Sequence, residues 1–423
     1  MSTAILSPSR LTGTVQAPPS KSAAHRALIC AALSRGVCQV KNISASQDMQ
    51  ATLRAVRAMG IHAELEHDSV SLSPAQIQPD LPVTVDCGES GSTLRFFIPI
   101  FAALGIPAVF TGEGRLPERP IGIYLDLLPA HGVSCRTEGG LPLEISGRLE
   151  PGIFELPGNV SSQFITGLLF ALPLLGGDSG IRLTTPLESA GYVEMTLAVL
   201  RDFGISVEQT ADGWRVPGGQ SYCAQDYEVE GDWSQAAFFL AAGALGGDLA
   251  ISGLRPDSCQ GDRAARDLFA QFGAQITEEN GLLHVRPGDL HGIGIDASQI
   301  PDLVPILAAT AALAQGHTSI HHAERLRIKE SDRLAAMAAE LTRLGARIQE
   351  TPGGLEIDGV PSLRGGDVSG WNDHRVVMSL AIAALRAEGE TRISDAQSVR
   401  KSYPDFFEVY QKLGGIAHVV SMG

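Results

Sequence analysis

The stretch VRAMGIHAEL (Val56–Leu65) runs from a helical pattern through one glycine, Gly60, into a short alternating strand pattern. Glycine suits a helix end because it tolerates the left-handed backbone that closes the last turn. The same arrangement returns in LPAHGVSCRT, LRDFGISVEQ, FAQFGAQITE, LTRLGARIQE and YQKLGGIAHV, whose glycines are Gly132, Gly204, Gly273, Gly345 and Gly414. Successive glycines lie 72, 72, 69, 72 and 69 residues apart. A second series keeps the same period. Apolar helices open with polar or small residues at Lys21, Gly91, Ser161, Asp232, Asp302 and Asp373, at steps of 70, 70, 71, 70 and 71 residues. Two series sharing one period along the whole chain mark a single supersecondary unit repeated six times.

The two helices of each unit differ in character. FITGLLFALPLL is apolar on nearly every face and reads as buried, whereas LAAMAAELTRLG is amphipathic. Each unit therefore supplies one inner and one outer helix with strands between them. The units divide into two α/β domains of three, with the boundary expected near Tyr227–Gly231, after the turn-rich PGGQSYCAQ. The opening strand, roughly residues 3 to 16, precedes the first unit and by its residues alone could join either domain.

Composition narrows the function classes. A chain of 423 residues exceeds what one core usually supports. With 44% hydrophobic and 19% charged residues and no long apolar run, it reads as a soluble globular protein. MSTAILSPSRLTGTV lacks the features of a signal peptide, so a cytoplasmic protein is expected. The six cysteines are irregularly spaced with no CxxC pair, and are expected to be reduced and mostly buried. A net charge of −15 argues against nucleic acid or an anionic membrane as partner, since binding those relies on neutralising phosphates. Any anionic ligand then needs a local cationic cluster.

Such cations collect at the inner helix starts. A helix N-terminus presents unsatisfied N–H groups and a partial positive charge, which suits an anion. In PPSKSAAHR, Lys21 sits at the mouth, with Ser22 and Arg26 four residues apart on one face. GNVSSQ offers the hydroxyls of Ser161 and Ser162 beside Gln163, and Gly91 in GESGSTLR permits close backbone approach. A lone serine in such a place is ordinarily a cap, and a lone lysine ordinarily solvated. Lys21 and the Asp373-His374-Arg375 triplet are nevertheless mildly misplaced against the helix dipole unless an anion lies between them. Arg119 in GRLPERPIG and Lys401 in VRKSYPDFF read alone as surface charges, and Asp302 in IPDLVP as a cap or a working base, the cap favoured. RIKESDR (Arg327–Arg333) reads alone as a charged helix start capped by Ser331. No GxxxxGK[ST] or GxGxxG is present, GESGS has Ser92 where GxSxG needs glycine, and the adjacent His321 and His322 lack a helical metal-ligand spacing. Neither a metal nor an organic cofactor is expected.

Taken in order, PPSKSAAHRAL, GESGSTLRF, ERPIG, LPGNVSSQF, RIKESDR, NDHR and KSYPDFFE resemble the 5-enolpyruvylshikimate-3-phosphate synthase family over essentially the whole chain. The resemblance implies an inside-out α/β barrel of two domains, each of three βαβαββ units with helices inside and sheets outside, joined by a two-strand hinge. We place the domains at 1–19 plus 230–423 and at 20–229. It also implies transfer of the enolpyruvyl group of phosphoenolpyruvate to the 5-hydroxyl of shikimate 3-phosphate, by a monomer. Carried over by motif, Lys21, Ser22, Arg26, Ser161, Ser162, Gln163, Ser189, Tyr192, Asp302 and Lys329 would meet shikimate 3-phosphate. Lys21, Gly91, Arg119, Gln163, Arg333, Arg375 and Lys401 would meet phosphoenolpyruvate, with His374 in support. Glu330 is the expected acid toward the methylene and Asp302 the expected base toward the 5-hydroxyl, with Lys21 assisting phosphate departure. Because these residues fall in both domains, the cation set is expected to be complete only when the domains close.

Two residues depart from the family pattern: Glu89 stands where asparagine is common, and Phe96 where proline often follows the helix arginine. The sister enolpyruvyl transferases acting on UDP-N-acetylglucosamine usually carry a reactive cysteine in the loop that here reads GRLPERPIG, which has none. A six-repeat clamp around nucleic acid is disfavoured by the acidic charge.

Overall fold

The structure, a computed structural model, describes residues 2–34, 36–74 and 82–421. The chain divides into two compact units, one of Met1–Ser20 with Glu230–Gly423 and one of Lys21–Val229. Among the described residues there are six four-stranded sheets, and no helix is long and apolar enough to cross a membrane.

Every sheet has one plan, a parallel pair followed by two antiparallel pairings, and in five of the six the last two strands form a hairpin. In the middle sheet of Lys21–Val229, Val83–Asp86 lies parallel to Ala108–Thr111, with the buried helix Gly91–Leu104 crossing between them. The hairpin Val133–Arg136 and Leu143–Gly147 then adds antiparallel to Ala108–Thr111. This is the βαβαββ unit. A parallel pair requires a crossover, and an apolar helix is the element that can serve as one while building the core. The six period-setting glycines all have left-handed φ, from 78° at Gly204 to 104° at Gly273, which explains why the repeat is written in glycine.

Three sheets borrow a strand from far along the chain. Tyr227–Glu228 pairs in parallel with Cys38–Lys41, so the end of the Lys21–Val229 unit completes its first sheet. In the other unit, the opening segment forms two strands where one was expected. Ser2–Ser7 lies between Ala387–Ile393 and Ile416–Ser421, and Thr12–Gln16 runs parallel to Asp248–Ser252. Pro8 has no N–H to give a ladder and falls between the two strands.

Each unit has its own apolar core. Every residue of the helices Trp233–Ala244, Val304–Ala311 and His374–Ala383 is buried, whereas Arg333–Arg343 buries one face. Inside Gly91–Leu104, Pro99 cannot donate to the Arg95 carbonyl; the Tyr124 hydroxyl does so instead, at 2.8 Å, and also donates to the Phe164 carbonyl at 3.0 Å. The six cysteines are free: Cys30, Cys38 and Cys87 are buried and Cys135 half-buried, but Cys223 and Cys259 are exposed, so burial holds for fewer of them than expected.

Candidate active site

In Lys21–Val229 the helix Lys21–Leu33 carries Arg26 into the interior, where it is 3% exposed. Its Nε donates to Thr196 Oγ1 at 2.9 Å, Nη1 to the Ser22 carbonyl at 2.7 Å and Nη2 to the Tyr192 carbonyl at 2.8 Å. All three acceptors are neutral, and among the described residues no carboxylate forms an ion pair with it. Burial lowers its pKa to about 10, so the group stays charged at neutral pH. The ring of Phe96 lies 5.5 Å from the guanidinium carbon and that of Tyr192 6.0 Å. Phe96, one of the two departures from the family pattern, is thus the wall behind Arg26, and it meets His25 and Phe170 edge-on.

Lys21 is matched by the chain itself, because its Nζ pairs with Asp48 at 2.7 Å. Asp48 sits in the first turn of Gln47–Ala58, which Ser46 caps. Arg119, 7% exposed, lies over Gly91: a Cβ there would come 2.7 Å from its guanidinium atoms. The glycine is what lets the arginine approach the helix mouth. Gln163 donates to Ser92 Oγ at 3.0 Å and accepts from Arg95 Nη1 at 2.6 Å, while Arg95 also holds the Pro120 carbonyl beside Arg119. Ser161 caps the Ser162–Ala171 helix, Ser162 is buried, and Ser189 begins Ala190–Asp202 with a left-handed φ of 56°. Glu89, the other departure, folds against Gly114, where any Cβ would collide with its carboxylate.

In the other unit, Arg333 is 1% exposed and gathers carboxylates. Its Nη1 meets Asp302 at 2.9 Å, Nη2 meets Glu330 at 2.9 Å and Nε meets Asp373 at 2.8 Å. Burial opposes its charge, but Asp373, Glu330 and Asp302 outweigh burial and push its pKa up. Asp373, despite its own burial, is held below the usual carboxylate range by Arg333 and His374. Asp302 also faces Arg375 at 3.4 Å and Lys329 at 3.7 Å. Burial lowers the Lys329 pKa against the pull of Asp302. Lys401 donates to the Asn372 carbonyl at 2.6 Å, and His374 Nδ1 lies 3.9 Å from Asp373.

Three readings of single residues change here. Asp302 is no cap: the positions before the Pro301–Leu303 turn and the Val304–Ala311 helix are Ile300 and Leu303, and its carboxylate pairs with cations instead. Ser331 is no cap either, because Asp332 accepts from Ala335 N at 3.0 Å while the Ser331 hydroxyl donates to Asp373. The cations at the His374 helix start are matched by Asp373, the helix cap, which accepts from Arg375 N at 2.8 Å.

The EPSP synthase (3-phosphoshikimate 1-carboxyvinyltransferase) family model matches residues 5–410 of this chain. The chain belongs to that family. It is 45% identical to the 3-phosphoshikimate 1-carboxyvinyltransferase of Clostridium novyi, covering 98% of each chain. It is 46% identical to the enzyme of that name from Clostridium acetobutylicum, covering 99% of each. Among solved structures, EPSP synthase from Acinetobacter baumannii matches with a TM-score of 0.84 and 27% identity, covering 99% of this chain and 100% of that one. The two α/β units with repeated βαβαββ architecture are those of an EPSP synthase, and the chain is an enzyme of the enolpyruvyl transferase family.

Within each unit of this EPSP synthase, several residues that hold these clusters were not visible to sequence reasoning. Asp48 supplies the anion for Lys21; being in the first turn after a serine cap, it reads as an ordinary helix start. Arg95 looks like one charge on an apolar helix, yet it organises Gln163 and Pro120. Glu340 is buried on the Arg333 helix, where it accepts from Trp371 Nε1 at 2.8 Å and Ser369 N at 3.0 Å. It thereby holds a loop in which Trp371 and Asn372 both have left-handed φ, just before Asp373. Asp262 is buried and takes a hydrogen bond from Ser234; burial first, then the charge of Asp302, raise its pKa to about 7.

Proposed function

We infer that this chain transfers the enolpyruvyl group of phosphoenolpyruvate to the 5-hydroxyl of shikimate 3-phosphate and releases phosphate, the step of the shikimate pathway that its family performs on the way to aromatic amino acids. The observation that carries the assignment of roles is the pairing of Asp302 and Glu330 on one buried guanidinium, each 2.9 Å from Arg333. The chemistry needs a proton delivered to the methylene carbon and another taken from the hydroxyl, and two carboxylates held in one place can divide those tasks.

In the proposed sequence, Glu330 in its protonated form gives a proton to the methylene of phosphoenolpyruvate. The 5-hydroxyl oxygen bonds to the adjacent carbon and releases its proton to Asp302. The tetrahedral adduct then expels inorganic phosphate, which takes the proton held by Asp302, and loses a methyl proton to Glu330, which restores the double bond and the starting protonation states. Arg333 keeps both carboxylates in register. A substrate carboxylate would meet an Arg333 most of whose N–H donors already face protein carboxylates, so Arg375 is the readier partner for it.

For shikimate 3-phosphate, the reading assigns Arg26 to the carboxylate and Ser161, Ser162 and Ser189 to the phosphate. Gln163 and Tyr192 line the pocket, and Ser22, Asp302 and Lys329 complete the set. Arg26 supports this because its two remaining N–H donors accompany an otherwise uncompensated charge. For phosphoenolpyruvate, Lys21, Arg119, Gln163 and Lys401 would hold the phosphate, with Gly91 giving Arg119 room and His374 supporting Arg375. We place the activity in the cytoplasm.

Phosphate release from phosphoenolpyruvate is expected to require shikimate 3-phosphate. Release driven by UDP-N-acetylglucosamine instead would overturn the reading. Asp302→Asn, which can still hydrogen-bond the ring hydroxyl but is no base, is expected to abolish turnover while leaving shikimate 3-phosphate binding within a few-fold; near-normal turnover would remove Asp302 as the base.

A further inference from the structure

The strands Gly294–Asp296 and His317–His321 run parallel, and their register sets Asp296 directly beside His321 at their C-terminal ends. His322 follows with a left-handed φ of 56°, uncommon outside glycine though histidine is among the residues that adopt it, and its Nδ1 reaches to 3.2 Å from Asp296 Oδ2. The rings of His321 and His322 stand nearly perpendicular, at 76°, with centres 4.7 Å apart. One ligand atom from each of the three side chains lies within 4.8 Å of the others. Tetrahedral ligands bound at about 2.0–2.2 Å lie about 3.3–3.6 Å from one another, so small side-chain rotations would bring the three into coordination. Two adjacent histidines lack the spacing that places ligands on one helix face; here the third ligand comes from the neighbouring strand.

We propose that Asp296, His321 and His322 form a surface site for a divalent transition-metal ion of the zinc class, apart from the residues of enolpyruvyl transfer. Two imidazoles and one carboxylate suit zinc or copper rather than magnesium or calcium, which prefer all-oxygen shells. The remaining coordination positions would go to water, because all three residues are exposed. The site also has a structural consequence. Beyond Asp296 the chain leads to Asp302, and beyond His322 it leads to Lys329 and Glu330. The two connecting segments are already linked, through the Arg325 Nη2 bond to the Ser298 carbonyl at 2.6 Å and the Ala297 N–H bond to the His321 carbonyl at 2.9 Å. A bound ion would brace both segments at their root.

The test is calorimetric titration of the untagged full chain with Zn2+, alongside thermal unfolding with and without the ion. One site is expected, with a rise in midpoint temperature that EDTA reverses. His321→Ala, His322→Ala and Asp296→Asn should each weaken Zn2+ binding at least tenfold and cancel the thermal shift. Their metal-free midpoints and enolpyruvyl-transfer rates should stay near the parent's, since none belongs to the transfer machinery. Cu2+ bound in place of Zn2+ should show electron paramagnetic coupling to two imidazole nitrogens. Absence of Zn2+ binding, or binding unchanged in the His321→Ala and His322→Ala double variant, for instance through exposed Cys223 or Cys259, would overturn the proposal.

Discussion

Arg26 and Arg333 are both buried arginines near the start of a helix, and they live in opposite electrostatic worlds. Arg333 touches Asp302, Glu330 and Asp373; Arg26 touches two carbonyls and a hydroxyl. Burial acts against both charges. At Arg333 the carboxylates more than offset it and the pKa rises, whereas at Arg26 nothing does and the pKa falls to about 10. A cation satisfied from within organises the protein. One whose hydrogen bonds are made but whose charge is unbalanced keeps electrostatic attraction for something else.

The sharpest way to break the contrast is to remove each guanidinium in turn. Arg333→Ala leaves three carboxylates buried or half-buried without their shared cation, and should cost about 3–5 kcal/mol of stability with loss of all turnover. Urea denaturation checks it; a loss below about 1 kcal/mol would mean that the carboxylates protonate or rearrange cheaply. Arg26→Met should barely alter the urea midpoint by comparison, since it removes an unbalanced charge along with its hydrogen bonds. Its effect should fall on ligand binding. Losing the charged partner of a substrate carboxylate costs about 2–5 kcal/mol, so shikimate 3-phosphate affinity should drop roughly 30- to 1000-fold or more in calorimetry. If Arg26→Met binds normally but unfolds easily, the two arginines are alike after all.

How much of this was legible in the sequence follows the same division. The six units could be read because their signals are local: a glycine closing one helix and a polar start opening the next. The motif residues could be named, but their partners could not. Asp48 meets Lys21, Asp373 meets Arg333, and Arg95 meets Gln163, each across separate elements, so no spacing announces the pair. Ser331 looked like the cap because serine commonly is one, and the next residue, Asp332, took the place. The opening strand was ambiguous for a related reason. Which sheet it joins depends on edges built from residues near the opposite end of the chain.

The excess of acids around Arg333 also predicts a pH dependence of its own, a carboxyl that gains its proton on folding. Asp262 rises from 3.8 to about 7, through burial and then the charge of Asp302, opposed by Arg375 and the Ser234 hydrogen bond, with Asp232 adding to the rise. A carboxyl with a raised folded-state pKa binds its proton more tightly folded than unfolded. Its contribution is therefore complete below about pH 4 and is lost as pH climbs through about 7. Asp262→Asn, which stays neutral, should remove that slope, gaining on the parent by on the order of a few kcal/mol between these limits. Parallel stability profiles for the two proteins would show that Asp262 is ionised throughout and paired.

The mildest test concerns space rather than charge. Gly91 lies under the Arg119 guanidinium, and a methyl group there would stand 2.7 Å from three of its atoms. Its φ is not left-handed, so Gly91→Ala carries no backbone strain and favours the helix by up to about 1 kcal/mol. The clash is with the far end of a flexible side chain, which can yield by tilting away from the helix mouth. Gly91→Ala should thus keep or raise the melting temperature while increasing KM for phosphoenolpyruvate about tenfold, one misplaced charge-assisted hydrogen bond being worth roughly 1.5–3 kcal/mol. Arg26-dependent binding of shikimate 3-phosphate should be unchanged. If KM for both substrates rose together, Arg119 would be holding the shared architecture of the site rather than one ligand.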